Sequence, residues 1–153
     1  LTCFAVADQR EAILSRLVAI CGGVSGIAAA GRNRLDVTGL VRPAVVVLDG
    51  TETMVAQPEM LRRSELQRME LSPDITVFVR GDDGGEAGVL LSRYRSAIVS
   101  AVLSDAALGD SVGKTGRVRY EGCTVMPPDA EAKEHQLELN LVFTYEFKSG
   151  DLR

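Results

Sequence analysis

The residues of this chain that could carry chemistry are one histidine, one glycine-lysine-threonine turn, one acidic loop and three cysteines. His135 stands beside Glu134. Nucleophilic catalysis through an imidazole needs a serine or cysteine whose proton that imidazole can take. His135 is the only histidine, it opens a β-patterned run, and no serine or cysteine lies in a nucleophile setting, so it reads as a structural or exposed residue. Gly109-Asp110-Ser111-Val112-Gly113-Lys114-Thr115 invites comparison with the phosphate-binding P-loop. That motif has four residues between its first glycine and the Gly-Lys, follows a strand and opens a helix. This stretch has three, follows a helix and leads towards a strand. Without a helix N-terminus there is no ready-made phosphate cradle, and the glycines read as a turn.

Asp82-Asp83-Gly84 with Glu86 has the acidity of a calcium loop. It lacks the alternating oxygen ligands, the glycine at the sixth place and the distal bidentate glutamate that such a loop requires. Asp and Gly suit a turn, and Glu86 suits the first turn of a helix. Cys3, Cys21 and Cys123 are odd in number and share no C-x-x-C spacing. They point to neither a disulfide framework nor a zinc site, and reducing conditions suit all three. No cofactor or metal is therefore expected. The remaining charge feature is Arg62-Arg63, with Arg68 shortly after. Arginine is enriched at protein–protein contacts, so Arg62, Arg63 and Arg68 are the candidate interface residues.

The elements that would position these residues follow from periodicity. Ile13, Leu14, Leu17, Val18, Ile20 and Cys21 recur at helical spacing, which predicts a helix over 8–21 with Asp8 as N-cap and Gly22-Gly23 as its stop. A strand over 27–35 follows. The β-branched run 43–48 lacks polar alternation and predicts a central strand covered on both faces, stopped by Asp49-Gly50. Residues 51–66 show no period and contain Pro58, and predict a long loop or arm. Met69, Leu71, Ile75, Val77 and Val79 alternate with polar residues, as a strand does, with Pro73 marking an edge or bulge. Phe78 breaks that alternation, so part of the second face should also be covered.

A second helix is predicted over 86–105, lined by Leu90/Leu91, Tyr94, Ala97/Ile98 and Ala101/Val102. Val118, Tyr120, Gly122, Thr124 and Met126 alternate on one side of a further strand that Pro127-Pro128 ends. The odd-numbered residues from Leu137 to Phe147 make the clearest β pattern of the chain. These last two strands predict an antiparallel hairpin with a long connection. The order α-β-β-β-α-β-β predicts an α+β fold, a mostly antiparallel sheet of about five strands with two helices packed on one face. Residues 1–153 read as one domain, with a C-terminal tail over 148–153.

Bulk properties narrow the function further. A chain of 153 residues buries roughly 68–70% of its unfolded surface without help from disulfides or metals. No apolar run approaches the ~20 residues of a membrane span. The N-terminal Leu1-Thr2-Cys3-Phe4-Ala5-Val6-Ala7 ends like a signal-peptide cleavage site but has no basic region and too short an apolar stretch. A net charge of −4 argues against a basic face for gripping nucleic acid, and leaves room for a surface past which DNA slides.

In order and pattern, these segments resemble the tail-terminator (tail-completion) proteins of long-tailed bacteriophages. The resemblance runs from the amphipathic first helix into the Arg32-Asn33 strand, through Arg42-Pro43-Ala44-Val45-Val46-Val47-Leu48-Asp49-Gly50 and a variable loop. It continues through the 75–79 strand, the 90–103 helix and Gly116-Arg117-Val118-Arg119-Tyr120 to Phe143-Thr144-Tyr145-Glu146-Phe147. It implies a hexameric ring that caps the tail tube, stops its polymerisation and offers a surface for head joining. The implied partners are further copies of the chain, the tail tube protein and a head–tail connector protein. DNA would pass through the lumen unbound, with no membrane involved. The implied location is the tail or neck of the virion, after assembly in the host cytoplasm. No reaction and no catalytic residues are implied. The alternatives are a head–tail connector or other neck protein, and a small-molecule-binding α+β domain.

Overall fold

A computed structural model describes residues 8–55 and 66–148. Helix α1 (Gln9–Gly23) begins where Asp8 accepts hydrogen bonds from the Arg10 and Glu11 amides, the expected N-cap. Strand β1 (Ala29–Arg32) is shorter than the expected 27–35. Asn33 adopts a left-handed φ of 50° and turns the chain, while its side chain accepts from the Asp49 amide. Residues 33–43 then cross one face of the sheet, so that β2 (Ala44–Met54) runs parallel to β1.

Strand β2 overturns one expectation. It does not stop at Asp49-Gly50 but passes through a bulge, where the register against β3 (Leu66–Arg80) shifts between Leu48↔Asp74 and Thr51↔Ser72. Gly50 provides the left-handed φ of 69° that such a bulge needs, and Pro73 lies opposite it. The expected loop 51–66 is therefore shorter: residues 51–54 belong to β2 and Leu66 begins β3. Residues 56–65 lie outside the described residues.

Helix α2 (Gly84–Ser104) is capped by Asp83 and buries Ala87, Leu91, Tyr94, Ile98 and Val102. A third helix, α3 (Ala106–Val112), corrects the expectation of two helices and of a turn beginning at Gly109. Asp105 causes it by closing α2 and capping α3 at once, its carboxylate accepting from the Leu108 amide. Leu108 and Val112, four residues apart, are both buried. Strand β4 (Arg117–Val125) and strand β5 (Glu134–Lys148) form the expected antiparallel hairpin. Lys148 is therefore the last strand residue rather than the start of a tail.

The order of strands is β1-β2-β3-β5-β4, with every pairing but β1–β2 antiparallel. All three helices contribute to one core with Val45, Val47, Leu71, Ile75, Val77, Leu137, Leu139, Leu141, Phe143 and Tyr145 from one sheet face. On the other face Ala44, Val46 and Phe78 make a separate small cluster, covered by Val37 and Leu40 of the crossing segment. This is the second-face cover that Phe78 signals. The mixed α+β sheet with its helices on one side thus leaves a helix-free face over β3, β5 and β4, on which Val142 and Thr144 of β5 are nonetheless buried.

Candidate functional site

The residues singled out for chemistry do not converge. His135 lies at the start of β5 with Nε2 3.2 Å from the Gly81 carbonyl oxygen. Asp82 pairs with Lys133, and Asp83 spends its carboxylate on the Gly85 and Glu86 amides at the start of α2. Gly109–Val112 form the end of α3, and Gly113 turns out of the helix with φ 83°. Lys114 and Thr115 follow that C-terminal end, where carbonyls rather than amides are exposed. Cys21 is buried on the inner face of α1, and its burial pushes the thiol pKa up to about 12, while Cys123 is exposed on β4. Cys3 lies outside the described residues. Among the described residues, no three metal-ligating side chains gather.

The arginines fare differently from one another. Arg62 and Arg63 lie outside the described residues. Arg68 stands on β3 opposite Glu146 of β5. Its Nη2 donates to the Thr115 carbonyl at 3.1 Å, which ties β3 across β5 to the chain entering β4. Among the described residues, its Nε and the Thr144 hydroxyl are both buried without a hydrogen-bond partner. Nearby, Arg119 of β4 reaches Glu121 at 3.0 Å and Glu70 of β3 at 3.5 Å. The helix-free face therefore carries interleaved charges of both signs.

Two ion-pair systems fasten α1, one to the sheet rim and one to the junction of α2 and α3. Arg32 at the end of β1 lies 2.6 Å from Glu11 of α1 and 2.7 Å from Asp49 of β2. Arg32 holds the Glu11 carboxyl down to about 2, helped by the Ser15 hydroxyl, and also lowers Asp49. Arg16 of α1 donates twice to Asp105, at 2.6 and 2.9 Å. That contact, with the Leu108 amide, takes the Asp105 pKa down to about 2. Both systems link residues far apart in the chain and carried no sequence signal.

A third system is more deeply buried. Arg42 donates to Glu134 of β5 through Nη2 at 2.8 Å and Nε at 3.0 Å, and to the Val37 and Leu40 carbonyls through Nη1. Its guanidinium stacks 5.4 Å from the centre of the Phe78 ring. Arg80 adds a 3.2 Å contact to the same Glu134 oxygen. Around this end of the sheet Val41, Val125 and Met126 are exposed. Val125 reaches the helix side because β4 bulges between Tyr120 and Gly122, which moves Cys123 and Val125 onto the face that alternation assigned to Gly122 and Thr124.

No protein-family model matches the chain, and no curated protein matches it. Among solved structures, it is similar to a chain in the virion of a native gene transfer agent particle. The identity is 14% and the TM-score 0.44, over 95% of this chain and 100% of that one.

Proposed function

We infer that the chain is a structural virion protein of the tail-terminator kind, one that acts by forming a ring and capping a tail tube. The observation that carries this reading is the ordered resemblance described above. The quoted segments fall on α1, β1, β2, β3, α2, β4 and β5. The surface supports it in chemical terms. Among the described residues, Arg16, Arg32 and Arg42 are engaged in ion pairs, and the helix-free face mixes Arg119 with Glu70 and Glu121. Such a face holds phosphates weakly, which suits a lining past which DNA moves.

In this reading Arg62, Arg63 and Arg68 contact a neighbouring copy or the last ring of the tube. Ring formation is head-to-tail and closed, so that each copy uses two different surfaces. The experiment is to add the purified chain to polymerising tail tubes and to measure their lengths. Tubes should stop growing and bear a ring at one end. Tube lengths unchanged at saturating protein would remove the terminator role, and a ring found only on the portal side would favour a head–tail connector.

A further inference from the structure

We propose that residues 33–43 form a strap that opens as a unit while the sheet stays folded, with the Arg42–Glu134 pair as the clasp that holds it shut. This inference stands apart from the tail-terminator reading and survives its failure. The first argument concerns the seat. Among the described residues, the strap packs on the small cluster of Ala44, Val46 and Phe78, with Ala29 beside it, on the opposite face of the sheet from the helix-packed core. Lifting the strap therefore uncovers little apolar surface and leaves the main core closed. Of its own apolar residues, Val37 and Leu40 pack down, whereas Leu35 is fully exposed and Val41 is 68% exposed.

The second argument concerns the backbone. Asn33 donates to the Val47 carbonyl at one end, and the Pro43 carbonyl accepts from Ala28 at the other. Among the described residues, no main-chain hydrogen bond joins residues 34–42 to the sheet. Within the strap, Leu40 donates to Val37 and Thr38 to the Asp36 side chain. Segments with few buried apolar contacts and no ladder bonds open at lower free energy than the domain unfolds.

The third argument concerns the clasp. The Arg42 and Glu134 side chains are only 6% and 8% exposed. One guanidinium binds both the strap's own carbonyls and the Glu134 carboxylate, so it gathers the strap and fastens it to β5 in a single group. Breaking a buried pair by removing one partner leaves an uncompensated charge, and here that charge sits in the strap's own seat.

Native-state hydrogen exchange on the full chain tests this. In the wild type, the Thr38 and Leu40 amides should exchange at least about 100-fold faster than those of Val77 and Leu139. Their rates should be insensitive to low urea, because the opening exposes little surface. Glu134→Gln should accelerate Thr38 and Leu40 by a further factor of about ten or more and change Val77 and Leu139 far less. Arg80→Gln, which leaves the Arg42–Glu134 pair in place, should accelerate them less than Glu134→Gln does. Equal rates and equal urea dependence for strap and core in the wild type would overturn the proposal, and that result needs no variant to fold. Equal acceleration of strap and core in Glu134→Gln would overturn the role of the clasp.

Discussion

Replacing Gly50 by alanine should destabilise the domain far more than a methyl group ordinarily does. Gly50 has φ 69°, and a Cβ there would collide with the Ser72 carbonyl oxygen and lie 2.7 Å from the Pro73 Cα. The left-handed backbone costs a non-glycine residue about 1–2 kcal/mol. Overpacking adds about 1–3 kcal/mol. The atoms in the way are backbone, so no rotamer change relieves the contact, and the total is roughly 2–5 kcal/mol. The internal control is Gly88, exposed on α2, where a Cβ would meet nothing within 4 Å. Gly88→Ala should stabilise by about 0.5–1 kcal/mol through helix propensity alone. Urea unfolding followed by circular dichroism reads both. With m-values of about 1–3 kcal/mol per molar, the midpoint should fall by about 1 M or more in Gly50→Ala and rise by a few tenths of a molar in Gly88→Ala. A Gly50→Ala midpoint within about 0.2 M of the wild type would refute the reasoning that ties this glycine to the bulge.

Acid should weaken the fold in a defined window. Glu11 and Asp105 both have folded-state pKa values lowered to about 2. Their stabilising contribution is complete above the ordinary carboxylate range near pH 4 and is lost as pH falls from there to about 2. The double variant Glu11→Gln/Asp105→Asn should show a shallower loss of stability across that window, and an unchanged slope would count against both ion pairs. Excising residues 56–65 and closing the chain with a short glycine linker should leave the thermal unfolding transition in place. It should also abolish tube capping, because the cut removes Arg62 and Arg63 and spares the paired residues 51–54 and 69–72. Capping that persists after the excision would take those arginines out of the interface. His135→Ala should leave capping intact, since among the described residues the imidazole makes one hydrogen bond, to the Gly81 carbonyl; loss of capping in a folded variant would show a role for the imidazole.

The parts of the fold that could be read in advance are those where one periodicity dominates over many residues. Leu137, Leu139, Leu141, Phe143 and Tyr145 alternate because β5 lies inside the sheet with helices on one side only. Asp8 announces α1 through a local hydrogen bond, and Phe78 announces the covered patch on the second face. What could not be read has two physical causes. Asp-Gly at 49–50 is as good a turn as a bulge, and only the partner strand, with Pro73 opposite, decides between them. Likewise α3 offers just Leu108 and Val112 as apolar points, too few to define a period, and the bulge before Gly122 reverses the faces of β4 without changing its composition. Long-range polar contacts are the second cause. Arg42 and Glu134 are 92 residues apart, and Arg68 and Thr115 are 47 apart. Arg68 could be picked out as an arginine beside an arm, but not as a brace across β5.

The edges of the sheet constrain how copies could meet in the proposed ring. One edge is β1, four residues long. The other, β4, is longer but carries a bulge between Tyr120 and Gly122, alternates Arg117, Arg119 and Glu121, and is followed by Pro127-Pro128. Short length, bulges, charge and proline are the means by which proteins keep edges from pairing with other strands. A ring built from this chain should therefore close through side-chain contacts, not by continuing the sheet from one copy to the next. The amides on the outer edge of β4 report on this directly. They should exchange with solvent as fast in the assembled state as in the free chain. Protection of alternate amides between Arg117 and Val125 on assembly would mean that the sheet does continue across the interface. The blunted edge would then have to be explained by something other than avoidance of pairing.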